Sequence, residues 1–428
     1  MTDFEAIDFF RDQSVVPDPY PYFDHLRSKC PVLQEEHHGV VMVTGYDEAC
    51  AIYMDTATFS SANSVTGPFP GFSVPLEGDD VTDLIEQHRD ELPFSDQLPT
   101  MDPPKHKDHR GLLMRLLTPK RLKENEDFMW RLADRQIDEF VSAGTGKFEL
   151  ISEFAEPFTM LVIADLLGVP ESDHELFKER LRNRPRNESA LGSTGKETLA
   201  HKPLEFLYEK FSEYVEDRRG NPQKDVLTGL AMATFPDGSL PEVIDVVRVA
   251  SNLFAAGQET TVRLLGAAFQ FIGERPELQQ HLRDHPELIS NFVEECLRIE
   301  SPVKGDFRVS RVPTTVGGVD IPAGTCVMVL NGAANRDPRR FPEPNELRLD
   351  RDNVHQQLAF GRGIHSCPGG PLARTEGRVA VERILDRLLD IHIDDAEHGP
   401  PDARVYKYAP TYILRGLRKL HLEFTPAP

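Results

Sequence analysis

The sequence predicts a mainly α-helical fold with a small β region, formed as a single domain over residues 1–428. Apolar residues recur at helical spacing in six long segments, whereas the strand-like runs are short and lie near the two ends of the chain. No internal repeat divides the chain, and its 34 prolines and 29 glycines are spread along it rather than collected in a linker. These observations favour one integrated helical body with a small sheet.

The individual elements follow from the period of the apolar residues. Helices are predicted over residues 119–143, 151–167, 203–219, 241–272, 286–300 and 371–389. Strands are predicted over residues 40–44, 314–316, 326–330 and 420–424. Ser239 and Glu242 have the spacing of a capping box around Pro241, where the longest helix is predicted to begin. About thirty residues at ~1.5 Å each would make that helix roughly 50 Å long.

Composition limits the classes of function. Hydrophobic residues make up 39% of the chain, which is enough for a globular core. Lys plus Arg number 48 against 70 Asp plus Glu, so the net charge of −22 argues against general binding to nucleic acid or anionic membranes. The acidic N-terminus does not match a targeting signal and no segment is apolar enough for a membrane anchor, so a cytoplasmic protein is expected. Five scattered cysteines with no C-x-x-C pair indicate neither a disulfide framework nor a structural zinc site.

Two stretches, residues 60–100 and 181–202, lack a regular pattern and are long for loops inside a compact domain. The first places Phe69, Phe72 and Val74 among prolines and glycines and continues into an acidic run. A flexible apolar lid with a solvated outer surface and a disordered surface insertion are both consistent with this composition.

The sharpest chemical signal is the segment from Phe360 to Gly370, in which Cys367 stands among glycines and directly before a proline. Pro368 suits the first position of a helix, so the sulfur would lie at a helix N-terminus, where a thiolate is stabilised. Gly361 and Gly369 leave space for a flat group close to the backbone, and Phe360 can shield the sulfur from water. These features predict a metal-bound or reactive sulfur beside a haem; the alternative is a buried free cysteine in an ordinary glycine-rich loop.

A second signal lies within the longest helix, at residues 256–261, which read Ala-Gly-Gln-Glu-Thr-Thr. A glycine followed by two β-branched residues lowers helix propensity, by about 1 kcal/mol for the glycine alone. The Thr260 hydroxyl can hydrogen-bond back to the carbonyl of Ala256 and open the helix there. The alternative is a glycine tolerated where a neighbouring helix packs closely.

The cysteine segment resembles the haem-binding loop of the cytochrome P450 family, F-x-x-G-x-[RH]-x-C-x-G, at every fixed position. The resemblance implies a cytochrome P450 fold, haem b as cofactor, Cys367 as its thiolate ligand to iron and His365 as a contact of a haem propionate. Residues 256–261 resemble the family's oxygen-activation motif. This implies that Glu259 and Thr260 deliver protons and that Ala256 and Gly257 leave room for dioxygen.

Further residues match family positions less specifically. The resemblance implies a structural triad of Glu295, Arg298 and Arg340, and propionate contacts from His106, Arg110 and Arg308. Apart from the family, the first set would be an ordinary surface ion pair and the second set plain surface charges.

The segment from Lys105 to Lys123 holds seven basic residues against one aspartate, a local charge of +6 in an acidic chain. The resemblance implies that it docks an acidic ferredoxin, itself reduced by a separate ferredoxin reductase, as in the family's soluble bacterial type. The alternative is a basic helix face that balances acidic neighbours.

The predicted function is therefore a monooxygenase that uses O₂ to hydroxylate or epoxidise a medium to large lipophilic molecule, such as a terpenoid, steroid or fatty acid. Mostly apolar residues match the family's substrate-contacting positions: Phe69, Phe72, Val74, Leu253, Val303, Phe307 and Ile413. Lys304 and Asp306 are candidates for a polar end of the substrate. The alternatives are a haem-binding sensor or carrier without catalysis and a peroxide-driven enzyme on the same fold, and the intact Glu259–Thr260 pair disfavours both.

Overall fold

The computed structural model describes residues 3–182 and 202–428. Most of the described chain is helical, which confirms the predicted fold class. The α-helices in this part of the chain are α1 Tyr20–Lys29, α2 Tyr46–Met54, α3 Thr82–His88, α4 Lys105–Met114, α5 Pro119–Ser142, α6 Glu156–Leu167, α7 His174–Arg182, α8 Lys202–Gly220, α9 Val226–Ala231, α10 Val243–Glu274, α11 Pro276–Asp284, α12 Ile289–Ile299, α13 Asn331–Ala334, α14 Gly370–Arg387 and α15 Asp395–His398.

The strands are short and form three sheets. They are β1 Val32–Gln34, β2 Val41–Val43, β3 Phe59–Ser60, β4 Lys147–Glu149, β5 Asp306–Ser310, β6 Thr314–Val316, β7 Val319–Ile321, β8 Cys326–Val329, β9 Leu388–Ile393 and β10 His421–Pro426. The largest sheet has the order β1-β2-β8-β5-β3, with β2 and β8 parallel and the other neighbours antiparallel. β4, β10 and β9 form a second sheet, and β6 pairs with β7.

The main core lies among the long helices. α10 has 32 residues, roughly 48 Å at ~1.5 Å per residue, and packs against α6, α8, α12 and α14. Its buried side chains surround much of the helix, as expected for a helix that passes through the middle of a protein. The middle of α10 carries residues 256–261, of which Gln258 and Thr261 are buried and the others are at least partly accessible.

The C-terminus of α6 and the N-terminus of α10 show how local sequence ends and begins a helix. α6 ends at Gly168, whose φ of +78° suits glycine and whose N–H closes the last turn on Ala164. The predicted capping box of α10 is wrong. α10 begins at Val243 after an extended Glu242, and the Ser239 hydroxyl instead donates to Asp237 Oδ1 at 2.6 Å. The reason is a local turn at Asp237, which takes the serine before the helix begins.

The stretch 60–100 contains regular structure, contrary to the prediction of an irregular loop. α3 lies within it, and Phe72 and Leu76 pack against a small cluster that includes Val81, Ile85 and Leu92. The second irregular stretch, 181–202, lies almost entirely outside the described residues. Over the ranges that the structure describes, no helix combines the length and the apolar character needed to cross a bilayer.

Candidate haem-binding and active site

The Cys367 loop is shaped by its glycines and by the start of α14. Gly361 and Gly363 have φ values of +63° and +73°, which glycine adopts without strain. A Cβ on Gly363 would lie 2.5 Å from the Tyr53 carbonyl oxygen, so this loop packs directly on the end of α2. Although Cys367 is exposed, desolvation of its sulfur by the surrounding protein raises the pKa of the thiol, and the Gly369 N–H and the Arg110 guanidinium only partly oppose this rise. The sulfur therefore sits at the helix N-terminus, as predicted.

The sequence predicted that Pro368 would occupy the first position of the helix, and this prediction is wrong. α14 begins at Gly370 with Gly369 as its cap, and Pro371 occupies the first turn. The Gly370 N–H bonds to the Cys367 carbonyl at 3.4 Å, so a short turn separates the cysteine from the helix. This turn lets two amides face the sulfur.

Cationic and imidazole groups gather beside this loop. The rings of His106 and His365 lie 4.2 Å apart, and His365 Nε2 hydrogen-bonds to Ser61 Oγ at 3.1 Å. Burial and the Arg308 guanidinium lower the pKa of His365 to about 2, and burial and Arg110 lower the pKa of His106 to about 4. Both imidazoles are therefore neutral near pH 7.

These groups have unused hydrogen-bonding capacity. His106 Nε2 is buried and has no partner among the described residues, and Arg110 has no carboxylate within 4 Å in the same ranges. Arg308 donates to the Phe307 carbonyl at 2.6 Å and to Asp306 at 3.2 Å through a single nitrogen, Nη1. Buried donors without acceptors are rare in proteins and fit an anionic ligand. Together with a sulfur at a helix N-terminus, they fit a haem with its two propionates.

The segment 256–261 has the Thr260 hydrogen bond that the sequence predicted, while α10 stays helical through it. Thr260 Oγ1 donates to the Ala256 carbonyl at 2.8 Å. Glu259 pairs with Arg263 one turn further along α10. A Cβ on Gly257 would lie 3.1 Å from Ile163 of α6, so the close packing proposed as the alternative for this glycine is also present.

One buried acid of this region was missed. Glu376 of α14 is 2% exposed, it lies close to Thr261, the residue after Thr260, and its Oε2 has no hydrogen-bond partner among the described residues. Burial raises the pKa of Glu376 well above its usual range, which favours the protonated carboxyl, and Thr261 only partly opposes this shift. Glu376 lies six residues into α14, so its contact with Thr261 places the Cys367 loop about 9 Å away along that helix.

The structural triad forms around Glu295, but with a different third member. Arg298 donates to Glu295 at 2.6 and 3.0 Å, and the second guanidinium on this carboxylate belongs to Arg351, at 2.9 Å. The assignment of Arg340 is therefore wrong. Its guanidinium bonds to Gln356 and lies over the Tyr46 ring, because the chain between Phe341 and Arg351 turns back to place the later arginine at the carboxylate.

The predicted substrate contacts do not form one cluster. Phe69, Val303, Phe307 and Ile413 belong to an apolar cluster that includes Phe10, whereas Leu253 lies in the main core and Phe72 packs beside α3. Phe307 is fully buried between Phe10 and Tyr412, on the face of β5 opposite Arg308. Its assignment as a substrate contact is wrong, because strand alternation turns it away from the side that carries Arg308.

The two polar candidates for a substrate end are also engaged. Lys304 Nζ donates to the Thr411 carbonyl at 2.6 Å. Asp306 accepts from Tyr53 at 3.2 Å and from Arg308. Both groups serve contacts within the protein, so neither is positioned for a substrate.

The positive charge of the segment from Lys105 to Lys123 is partly neutralised by neighbouring acids in the structure. Lys120, Arg121 and Lys123 form ion pairs with neighbouring acids, whereas Lys105 and Lys107 of α4 have no carboxylate within 4 Å in the described part of the chain. The positive charge available to a partner is thus concentrated on α4. This helix also carries His106 and Arg110.

Comparisons with known proteins agree with this geometry. The family profile described as Cytochrome P450 matches residues 79–402. The curated protein Cytochrome P450 144 of Mycobacterium tuberculosis is 32% identical over 98% of this chain and 91% of its own length. A substrate-free cytochrome P450 structure from Mycobacterium marinum is 58% identical over all of both chains, with a TM-score of 0.93. A Bacillus megaterium cytochrome P450 solved with testosterone is 25% identical, covers 95% of this chain and 99% of its own, and has a TM-score of 0.76. The chain therefore belongs to the cytochrome P450 family and is a monooxygenase of the oxidoreductase class.

Proposed function

We propose that this enzyme binds haem b through Cys367 and hydroxylates or epoxidises a medium to large lipophilic substrate with O₂. The observation that carries the proposal is the joint position of two motifs. α14, which follows the Cys367 loop, packs against α10, the helix that carries Glu259 and Thr260, and a Cβ on Gly377 of α14 would lie 3.4 Å from Leu264 of α10. A sulfur ligand and an acid–alcohol pair thus belong to one site.

Each protein group has a stated task in this proposal. The bound haem supplies a thiolate-ligated iron at which O₂ is activated. The Thr260 hydroxyl and the Glu259 carboxyl hold and move protons at the distal side, and Ala256 and Gly257 leave room beside them. His106, His365, Arg110 and Arg308 bind the propionates.

The substrate class is proposed from the apolar residues at the family's substrate-contacting positions and from a relative. Leu253, Val303 and Ile413 are apolar, and the polar candidates Lys304 and Asp306 are already hydrogen-bonded. The Bacillus megaterium relative was solved with testosterone, a molecule of suitable size and polarity. Steroids are therefore the first class to test, followed by terpenoids and fatty acids.

The electron donor is proposed to be a ferredoxin, reduced by a separate ferredoxin reductase. Lys105 and Lys107 are exposed on α4, and the ring of His106 on this helix lies 4.2 Å from that of His365 in the cysteine loop, tilted by 49°. Ile364 and Met54 are 41% and 64% exposed, and their segments pack together at Gly363. A small apolar surface with basic residues nearby suits an acidic redox protein.

An optical titration of the purified ferric protein tests the substrate class. Testosterone, a terpenoid panel and a fatty-acid panel are added separately, and the spin-state change of the iron is followed. A saturable shift with one class, followed by product formation with ferredoxin and reductase, supports the proposal. Binding without product would favour a carrier or sensor, and product formed only with added peroxide would favour the peroxide-driven alternative.

Two substitutions test the assigned residues. Cys367→Ser should abolish the spectrum of the reduced carbon monoxide complex that is typical of thiolate ligation; an unaltered spectrum would remove the ligand assignment. Thr260→Ala should divert electrons from product to peroxide while substrate binding is retained. Unchanged coupling in that variant would contradict the proton-delivery role.

A further inference from the structure

Arg263 lies between the proposed proton donor and the interior of the protein. It follows Glu259 by one turn of α10 and donates to its carboxylate through Nη2. Arg263 is only 7% exposed, and its Nε has no hydrogen-bond partner among the described residues. A buried guanidinium N–H without an acceptor is unfavourable unless water serves it.

A small cavity adjoins Arg263 on the side away from the N-terminus of α10. Its volume is about 10 Å³, and its polar walls come from Gln270, Glu300, Tyr408 and Arg415. This is close to the volume that one water molecule needs, and these walls provide several donors and acceptors. The cavity is therefore suited to a single water beside Arg263.

Polar side chains continue from this cavity to the surface. The Tyr408 hydroxyl donates to Gln270 Oε1 at 3.4 Å, and Gln270 Nε2 donates to Glu274 Oε1 at 3.2 Å. Glu274 is exposed and also accepts from the Tyr406 hydroxyl at 2.7 Å. Acceptors and donors thus follow one face of α10 from solvent to Arg263.

The chain makes room for Arg263 at one specific position. A Cβ on Gly416 would lie 2.4 Å from Arg263 Cγ and 3.0 Å from its Nη1. No side chain larger than hydrogen fits there without moving the arginine. Gly416 therefore holds the guanidinium between Glu259 and the cavity.

We propose that Arg263 and the single-water cavity form the route by which Glu259 regains protons from solvent, an inference that rests on the proposed role of Glu259. After the Glu259 carboxyl gives up a proton toward Thr260, its carboxylate takes one from water that passes along the guanidinium from the cavity. That water is restored to neutrality by a proton from solvent at the Glu274 end. Arg263 keeps its charge throughout and is a positioning residue, and no electrons move in this step.

A high-resolution crystal structure of the haem-loaded protein gives a test that is independent of turnover. An ordered water in the cavity, bonded to Arg263 Nε, is expected. A dry cavity, or an Nε bonded only to protein, would overturn the proposal. In Gly416→Ala, the added methyl group should displace the guanidinium from Glu259 in the crystal.

Turnover then tests the role of the route. With the panel compound that gives the largest spin-state shift, Arg263→Leu should lower the fraction of electrons recovered in product at least fivefold. The dissociation constant of that compound from Arg263→Leu, measured by optical titration, should stay within twofold of its value for the wild-type protein. Arg263→Lys should restore part of the coupling, and Gly416→Ala should behave like Arg263→Leu. Arg383→Leu is the matched control, since it removes an ion pair between Arg383 of α14 and Asp134 of α5.

The outcomes separate this inference from the proposed function. If Glu259→Gln couples as well as wild type, the role of Glu259 is wrong and the route falls with it. If Glu259→Gln uncouples but Arg263→Leu and Gly416→Ala do not, only the route is wrong. A larger solvent deuterium effect on turnover in Arg263→Leu, absent in Arg383→Leu, would support it.

Discussion

Two groups of charged and polar side chains in this enzyme differ in whether the protein supplies all their hydrogen-bond partners. Around Glu295, two guanidinium groups and the Arg348 N–H donate to one carboxylate, and the remaining N–H groups of Arg298 donate to the carbonyls of Asn335, Pro344 and Glu346. Around the cysteine loop, His106 and Arg110 keep polar atoms without protein partners in the described ranges. Glu295 and Arg298 are fully buried, whereas His106 is buried and Arg110 is half-buried, and only the first group is saturated by protein.

The difference indicates what each group is for. A buried charge is stable when its geometry and hydrogen bonds are complete, so the Glu295 cluster contributes to the fold itself. Donors left over beside the Cys367 sulfur would be completed by the propionates of the proposed haem. Saturation therefore distinguishes a structural cluster from a binding site better than burial does.

The largest expected effect is on the saturated cluster. Arg298→Leu leaves the Glu295 carboxylate with a single guanidinium in a fully buried position and should lower the free energy of unfolding by about 3 to 5 kcal/mol. Urea unfolding followed by circular dichroism measures this change. Arg378→Leu, which removes a partly exposed ion pair with Glu126, serves as control and should cost less than ~1 kcal/mol. Equal losses in the two variants would contradict a special role for the buried cluster.

Lys304 is a third kind of buried basic group, since it has no carboxylate within 4 Å in the described chain. Burial and the nearby Arg415 and Arg263 lower its pKa well below the usual range, and Glu300 only partly opposes them. Below the ordinary pKa of lysine, ~10.4, the unfolded chain therefore binds more protons at Lys304 than the folded chain does. The free energy of unfolding consequently decreases as the pH falls below that value.

Lys304→Met removes the cost of burying an amine without a carboxylate partner. The variant should therefore be more stable than wild type at pH 7, by about 1 to 3 kcal/mol. The advantage should shrink at pH 9.5, because the unfolded wild-type lysine then begins to lose its proton. Urea unfolding at both pH values measures the difference. The same advantage at pH 7 and pH 9.5 would mean that the folded lysine titrates normally.

What the sequence could predict depended on how local each determinant is. The Cys367 loop and the Thr260 contact with Ala256 are set by residues within a few positions, and both were predicted. Arg351 was missed because two arginines, eleven residues apart, are both consistent with the pattern, and only the path of the intervening chain selects one. Glu376 was missed although a signal existed: it interrupts the buried positions Leu372 and Ala380 at helical spacing.

The unsaturated group should respond to substitution in haem retention rather than in folding. Arg110→Leu should increase the rate of haem loss about tenfold, equivalent to ~1.4 kcal/mol, because one propionate loses its cation. Transfer of haem to excess apomyoglobin measures this rate. The unfolding free energy of the haem-free protein should stay within ~0.5 kcal/mol of wild type, since no protein carboxylate in the described ranges pairs with Arg110.

Arg115→Leu is the control for that experiment. It lies on the same segment and donates to the Thr234 carbonyl on the surface, so its haem loss should match wild type. A similar increase in both variants would indicate a general effect of removing positive charge. Loss of folding in Arg110→Leu without faster haem loss would place Arg110 with the saturated cluster.

The smallest expected effect is the loss of stability in Arg340→Leu, and it distinguishes the roles of Arg340 and Arg351 in one segment. Arg340 is half-buried and bonds to the neutral Gln356, so Arg340→Leu leaves no charge unpaired and should cost less than ~1 kcal/mol. Arg351→Leu removes a guanidinium from the buried Glu295 and should cost about 3 kcal/mol. Urea unfolding of both variants decides between them. If Arg340→Leu were the more costly change, the third member of the triad would be Arg340 after all, and saturation around Glu295 would not identify structural charges.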